Sequence, residues 1–232
     1  MIHDFVAYLD QYPYLGTEII GLVGFCAALA LAGAQRRTTI FAGLMLVPFA
    51  FLAPLHAQTY WHPERFLGGD FGLEDAIYLF LGGSVSWAIA ARISSFPTID
   101  DMDWRRFGVR GVTLTTLTSA LWFGLGVVGL SPFSGSIVAL SCVILLLAQL
   151  RPERAGAALS AAVGFAAYHV ANLAIAQSIW PDFQETWLPG STWTETIASI
   201  PVGEIAFSLV FGAAHPLGLA WLLEPPAGRA NR

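Results

Sequence analysis

The stretch Pro132–Leu150, PFSGSIVALSCVILLLAQL, decides the class of fold. It carries no charge, and its length is close to the roughly 20 apolar residues that cross a bilayer as an α-helix. Six comparable runs give a predicted total of seven spans: Leu15–Ala34, Ile40–Tyr60, Gly72–Ile93, Val109–Leu130, Pro132–Leu150, Ala155–Ile179 and Ser199–Leu223. A count of six would merge or drop one of the fourth and fifth spans. We therefore predict an all-α membrane protein, with one integral-membrane domain over residues 1–232.

Composition supports this class of fold. Of the 232 residues, 56% are hydrophobic and only 12% are charged, against roughly 25% charged in soluble domains. The net charge of −5 excludes a nucleic-acid binder. All 11 basic residues are arginine, and a retinal Schiff base needs the amine of a lysine. A retinal protein is therefore excluded, although seven spans would suit one.

The arginines predict the orientation. If the N-terminus lies outside, Arg65 is the only arginine outside, and the inside segments hold Arg36, Arg37, Arg92, Arg105, Arg106, Arg110, Arg151, Arg154, Arg229 and Arg232. This is the positive-inside pattern, and it favours an odd number of spans. Residues 1–14 are predicted to be an interfacial segment on the outer surface, and residues 224–232 a cytoplasmic tail.

Two stretches of the chain resemble each other. Aligned without gaps, 72–83 and 201–212 match Asp75 with Glu204, Tyr78 with Phe207 and Gly83 with Gly212. The two spans concerned are four apart and run in the same direction. We therefore predict two parallel three-helix repeats, 15–93 and 132–223, joined by a linking helix over 109–130.

Acidic residues at the starts of these two spans are the first candidates for chemistry. An ionisable group inside a span is a functional hypothesis by default, and this applies to Glu74, Asp75 and Glu204. The repeat predicts that Asp75 and Glu204 lie at one level of the membrane. The alternative is that these residues are helix caps at the outer interface, and Glu74 is favoured as a cap or a partner for Arg65.

Histidines give one further candidate. His56 lies near the outer end of the second span and is the best candidate for a proton relay near the acids. His169 and His215 are interpreted as buried core histidines. No pair of histidines has the spacing of a helical metal motif, so no metal is predicted.

Glycines in the spans are predicted to mark close helix contacts. Small residues let backbones approach each other in lipid, which favours this role for Gly82, Gly83 and Gly212. The run Gly124-Leu-Gly-Val-Val-Gly129 fits a dinucleotide-binding pattern, but it lies within a span and follows no strand. It is predicted to be a packing surface.

The two acidic stretches, Gly72-Leu-Glu-Asp75 and Pro201-Val-Gly-Glu204, resemble the repeated motif of the lycopene cyclase domain family. These small integral-membrane carotenoid cyclases carry Pro-x-Glu-Glu or Pro-x-Glu-Asp at the start of a span in each half, commonly after a loop with tryptophan and proline. Here Gly72 replaces the proline and Gly203 replaces one acid, whereas Asp75 and Glu204 keep the second acidic position.

The resemblance implies acid-initiated cyclisation of an acyclic, lycopene-type polyene through a carbocation, without a cofactor. It implies that Asp75 and Glu204 are the acid and base and that Glu74 and His56 tune them. The substrate-binding aromatic residues would be Tyr78, Phe207, Phe211, Trp61 and Trp87. Partners would be an apolar isoprenoid or carotenoid ligand, membrane lipids and further subunits of a homo- or hetero-oligomer.

Two other functions remain open from the sequence. The first is a non-catalytic subunit that binds a carotenoid or quinone or stabilises a membrane complex. The second is a small transporter in which the acids form a proton site.

Overall fold

The structure is a computed structural model that describes residues 8–188 and 192–225. Its helices are α1 (Pro13–Leu31), α2 (Arg36–Leu44), α3 (Ala53–Ala57), α4 (Leu73–Ile93), α5 (Trp104–Val127), α6 (Pro132–Leu150), α7 (Ala155–Ile179) and α8 (Val202–Leu223). Two short strands, β1 (Thr196–Ile197) and β2 (Ile200–Pro201), pair antiparallel just before α8. The turn between them holds Ala198 and Ser199 at positive φ.

Within the described ranges, six helical segments are long and apolar enough to cross a membrane: Pro13–Leu31, Gly33–Ala57, Leu73–Ile93, Pro132–Leu150, Pro152–Ile179 and Val202–Leu223. The protein is therefore an all-α, multi-pass membrane protein. The predicted fourth span corresponds to α5, which has 24 residues. It is less apolar than the others because four threonines and a serine lie between Thr113 and Ser119.

Most predicted boundaries agree with the helices, and α6 begins and ends where it was predicted. The second span begins earlier than the predicted Ile40, because the chain turns at Ala32 and is helical again from Gly33. This span is 3₁₀-helical over Val47–Leu52, where Pro48 cannot donate a helical hydrogen bond. Helix α5, the predicted fourth span, begins earlier than predicted. The Asp103 carboxylate caps this helix by accepting hydrogen bonds from the Arg105 and Arg106 amides.

The two predicted terminal segments are only partly described. Residues 1–7 and 226–232 lie outside the described residues. Tyr14 belongs to α1 and is 2% exposed, so the helix begins slightly before the predicted boundary at residue 15. The seventh span begins at Val202 instead of Ser199, because residues 196–201 form the hairpin.

Helix α4 is central, since it packs against α1, α2, α7 and α8. Helix α8 packs most extensively on α7 and also contacts α6, whereas α5 lies at the edge against α6 and α8. A Cβ atom on Gly83 would lie 3.0 Å from the Ala42 carbonyl oxygen, and one on Gly212 would lie 2.9 Å from the Ala161 carbonyl oxygen. These values confirm the close contacts predicted for Gly83 and Gly212.

The packing surface predicted for Gly124–Gly129 is wrong. Cβ atoms built on Gly124, Gly126 and Gly129 would have no atom within 4 Å in the described part of the chain. Gly129 instead ends the helical region, with φ of +95° in the turn between α5 and α6. Gly129 therefore marks a turn, whereas Gly124 and Gly126 lie on an open face of α5.

Candidate functional site

A cavity of about 490 Å³ lies within the helix bundle. Its wall is mostly apolar, and α1, α4, α5, α6, α7, α8 and the segment 45–56 all contribute to it. Three carboxyl side chains also line it, from Glu18, Asp75 and Glu204. Asp75 and Glu204 both lie in the first turn of their helices, so we call the end of the bundle where α4 and α8 begin the acidic end.

The lining residues indicate that the cavity opens sideways, between the segment 45–56 and α5. Both line it, yet they make no extensive contact with each other in the described ranges. Large apolar side chains are exposed at this edge, including Phe49 at 42%, Leu52 at 44% and Phe123 at 65%. The opening therefore faces the same apolar surroundings as the outer faces of the helices.

Asp75 is held as a fully paired carboxylate. Its Oδ2 accepts from Arg65 Nε at 2.8 Å and from the Gly72 amide at 2.8 Å. Its Oδ1 accepts from Arg65 Nη2 at 3.1 Å and from the Tyr14 hydroxyl at 3.2 Å. The bidentate pairing with a guanidinium and the position at a helix N-terminus both stabilise the anion.

Glu204 is paired differently. Its Oε2 lies 2.8 Å from His169 Nε2, and its Oε1 accepts from Trp187 Nε1 at 3.0 Å. The Glu204 side chain is 13% exposed, and Tyr60, whose buried hydroxyl lies beside Gly203, also lines the cavity. A carboxylate beside an imidazole can exchange a proton with it.

Glu18 is the third carboxyl and has no such partner. It lies in α1, is 3% exposed and lines the same cavity. Among the described residues its side chain makes no hydrogen bond or ion pair, and its Oε1 is completely buried. An unpaired buried carboxylate is far more costly than a neutral carboxylic acid, so this environment favours the protonated form.

Of the two other predicted catalytic residues, His56 lines the cavity and Glu74 does not. His56 lines the cavity, with its Nε2 3.2 Å from Ser136 Oγ and its Nδ1 3.2 Å from the Leu52 carbonyl oxygen. Glu74 is absent from the cavity wall, because its Oε1 accepts from the Phe66 amide at 2.6 Å in the loop before α4. It is a buried loop cap, which is the alternative that the sequence favoured. Its predicted partner, Arg65, pairs with Asp75 instead.

The cavity brings together four of the five predicted aromatic residues: Tyr78, Phe207, Phe211 and Trp61. The Tyr78 ring lies 5.6 Å from the His169 ring, and the Phe207 and Phe211 rings are also 5.6 Å apart. Trp87 is not part of the wall. It is 0% exposed in an apolar cluster with Phe96, because it lies near the other end of α4.

Two loops close the acidic end. The Trp61 and Trp187 backbones pair as an antiparallel bridge, and the His62 amide donates to the Thr186 carbonyl oxygen at 2.7 Å. Trp61 Nε1 also donates to Thr186 Oγ1. Loops that precede α4 and α8 in sequence are thus tied together above the carboxyl groups.

Several site residues were missed from the sequence. Glu18 carried the clearest signal, because it is a carboxyl group within a predicted span. His169 is interpreted from the sequence as a core histidine, and Arg65 as a marker of orientation and a candidate partner of Glu74. Trp187 lies in the loop before α8 and is not among the site residues predicted from the sequence. Nothing in their spacing indicates that they meet, because the contacts join α1, α7, α8 and two loops.

A metal centre is not indicated, since residues 8–188 and 192–225 contain no group of three or more His, Cys, Asp or Glu side chains placed to hold a metal ion. Comparison of the chain with protein-family models, curated proteins and solved structures finds no match. The function is therefore inferred from the cavity itself.

Proposed function

We propose that the protein is a carotenoid-cyclase-like enzyme that isomerises the end of an acyclic, lycopene-type polyene by acid-initiated ring closure. One observation carries the proposal: three carboxyl groups in different states of pairing face one apolar, aromatic-lined cavity. Such chemistry needs a neutral acid and an ionised base in one site. Glu18 is suited to the first role and Glu204 to the second.

The proposed reaction transfers one proton in and one proton out. The Glu18 carboxylic acid protonates the terminal double bond, so its O–H bond breaks and a C–H bond forms. The electron pair of a neighbouring double bond then attacks the tertiary cation and closes the ring. The Glu204 carboxylate removes a ring proton, which leaves a new double bond. No electrons are gained or lost, and the proton returns to Glu18 before the next turnover.

Other residues of the wall would stabilise the cation. The faces of aromatic rings attract a positive charge, and Tyr78, Phe207 and Phe211 supply such faces. Asp75 is paired with Arg65, and four hydrogen bonds hold its carboxylate. Its proposed role is electrostatic, and His56 remains a proposed tuning residue.

The sideways opening supports an apolar substrate. A hydrocarbon chain dissolved in the bilayer could enter between Phe49 and Phe123 without crossing water. Exclusion of water matters, because water would trap the cation.

We further propose seven spans, with α5 as the fourth and the N-terminus outside. Arg110, Arg151 and Arg154 all contact Glu224, so these basic residues lie together at the end of the bundle opposite the acidic end. This arrangement supports the proposed topology, in which that end faces inside. The two-repeat proposal is supported by α4 packing on α1 and α2 while α8 packs on α6 and α7.

Expression in a lycopene-accumulating host, followed by pigment analysis, tests the proposed activity. Wild type should convert lycopene into cyclic products. Glu18→Gln, Asp75→Asn and Glu204→Gln should each reduce conversion strongly, by roughly 10²–10⁴-fold for the acid and the base. The matched control is Glu185→Gln, an exposed acid outside the cavity wall, which should leave conversion unchanged.

Two outcomes would contradict the proposal. If folded wild-type protein forms no cyclic carotenoid, the enzymatic function is wrong. Retention of lycopene by purified protein without conversion would then favour the non-catalytic subunit. If Glu18→Gln remains fully active, the assignment of the proton donor is wrong.

A further inference from the structure

A group of polar side chains faces the cavity far from the carboxyl groups. Thr115, Thr118 and Ser119 on α5 all line it. In the described part of the chain none of these hydroxyls makes a hydrogen bond, whereas nearby Thr113 donates to the Val109 carbonyl oxygen at 2.9 Å. Back-bonding of that kind is the usual way in which a helical threonine is satisfied. The three hydroxyls are therefore available to a ligand; Thr118 and Ser119 are half-buried, and Thr115 is exposed.

His215 on α8 lies at the same level of the bundle. Arg110 contacts the Trp221 carbonyl oxygen, and a Cβ on Gly218 would lie 3.4 Å from the Leu114 side chain. These contacts show that α5 and α8 are antiparallel, and continuing the register places Thr118 beside Ala214 and His215. His215 lines the cavity, and its Nε2 is buried with no partner among the described residues.

The separation from the acids follows from helix geometry. Eleven residues of α8 separate Glu204 from His215, which at 1.5 Å per residue is about 16 Å along the axis. The cavity continues between them past Phe207 and Phe211. An extended apolar chain could therefore reach from the carboxyl groups to this second polar group.

Unpaired polar atoms in an apolar interior are unfavourable unless a ligand completes their hydrogen bonds. The carboxyl groups that line the cavity belong to the acidic end, so no formal charge faces the ligand beside His215. A neutral oxygen group fits best, because hydroxyls and an imidazole can each donate or accept a hydrogen bond.

We propose that Thr115, Thr118, Ser119 and His215 form a second subsite, which binds the neutral hydroxyl or carbonyl group of an elongated isoprenoid whose other end lies at the carboxyl groups. The inference goes beyond the proposed function, because it concerns binding and holds even for a ligand that is never converted.

The test compares two conjugated isoprenoid polyenes of the same skeleton, each about 16 Å long when extended to match the separation along α8: a hydrocarbon and its derivative with one terminal hydroxyl group. Each is titrated into the purified full-length protein in nanodiscs, with quenching of tryptophan fluorescence as the signal. Wild type should bind the hydroxylated polyene more tightly, by roughly 2-fold to 12-fold, the range expected for one neutral hydrogen bond. Thr118→Val should abolish this preference and leave the affinity for the hydrocarbon unchanged.

The control is Thr116→Val, the same chemical change on an exposed residue outside the cavity wall, and it should keep the preference. His215→Phe should lose it as Thr118→Val does. Because Thr118 makes no internal hydrogen bond in the described structure, its valine variant should fold normally, and its melting temperature checks this.

Equal affinity of wild type for the two polyenes would overturn the subsite. Full preference in both Thr118→Val and His215→Phe would do the same. A preference lost in these variants, in a protein that forms no ring, would leave the subsite standing and the proposed enzymatic function wrong. Ring formation by a wild-type protein that shows no preference for the hydroxylated polyene would support the enzymatic function and overturn the subsite.

Discussion

The guanidinium of Arg65 and the carboxylate of Asp75 form a buried two-point ion pair, with Nε–Oδ2 at 2.8 Å and Nη2–Oδ1 at 3.1 Å. The side chains are 0% and 5% exposed. The pair ties the loop before α4 to the first turn of that helix. The Trp61 and Tyr14 rings lie 5.7 Å and 6.0 Å from the guanidinium carbon, so the cation is enclosed on more than one side.

Removal of one member of this pair should destabilise the protein strongly. Arg65→Met leaves a buried carboxylate without its cation, and such changes commonly cost about 3–5 kcal/mol. The double variant Arg65→Met/Asp75→Leu should regain part of the loss, because no lone charge remains. Denaturation of the purified variants in detergent measures both effects.

The exposed pair Arg37–Asp100 is the control for this prediction. Its side chains are 75% and 56% exposed, so Arg37→Met should change the free energy of unfolding by less than about 1 kcal/mol. Similar losses for Arg65→Met and Arg37→Met would show that burial does not set the strength of the Arg65–Asp75 pair.

The sequence predicted helices well and the partners of the charges poorly. Long apolar runs define α6 and α7, because crossing a bilayer demands length and apolarity that can be counted directly. The sequence favours Glu74 as a cap or a partner for Arg65, but the first turn of α4 directs Asp75 to Arg65 and Glu74 to the Phe66 amide. Which of the two carboxyl groups pairs with Arg65 depends on the path of the loop before α4, and the sequence of a loop has no periodic pattern from which its path could be predicted.

The cavity could not be predicted for a related reason. Its polar groups come from segments distant in sequence, and Glu204 meets His169 only because α7 and α8 pack antiparallel. The ungapped match of Asp75 with Glu204 did place both acids at the start of a helix. It could not show that one has a guanidinium partner and the other an imidazole.

Gly212 should tolerate even a methyl group poorly. A Cβ there would lie 2.9 Å from the Ala161 carbonyl oxygen and 3.0 Å from Ala162 Cα, and backbone cannot move aside easily. Gly212→Ala should therefore lower stability by about 1–3 kcal/mol, the usual cost of overpacking. Thermal unfolding in detergent provides the measurement.

Gly126→Ala is the matched change on an open helix surface, where a Cβ would meet nothing within 4 Å in the described structure. Alanine favours helix by up to about 1 kcal/mol over glycine, so this variant should be unchanged or more stable. Equal loss in the two alanine variants would contradict the assignment of Gly212 to the α7–α8 contact.

Low pH should destabilise the protein at the end of the bundle opposite the acidic end, where Glu224 lies. Burial raises the pKa of this carboxyl, but hydrogen bonds from Arg151 and the charges of Arg154 and Arg110 outweigh burial and hold the pKa below its usual 4.5. A lowered pKa in the folded state means that the stabilisation is present above about pH 4.5 and is lost as the pH falls through the folded value.

The melting temperature measured between pH 7 and pH 3 tests this prediction. Wild type should lose stability below pH 4.5, and Glu224→Gln should be less stable at pH 7 and lose less on acidification. The Glu153→Gln variant, an exposed acid near the same end, should follow wild type. If the melting temperatures of wild type and Glu224→Gln fall equally between pH 7 and pH 3, Glu224 is not the group responsible for the loss of stability in acid.

The pairing of His169 with Glu204 should matter for ring formation if Glu204 is the base. Glu204→Gln removes the carboxylate and should reduce the rate by roughly 10²–10⁴-fold. His169→Phe keeps the carboxylate but removes one of its two hydrogen-bond partners, at 2.8 Å, so its loss should be smaller. His169→Gln can still donate to Glu204 Oε2 and should recover part of the activity.

Rates of ring formation, measured with lycopene in isolated membranes at matched amounts of folded protein, test the predicted order of the three variants. Wild-type activity in His169→Phe would show that the imidazole supports the fold alone, and wild-type activity in Glu204→Gln would assign the base to another group of the cavity.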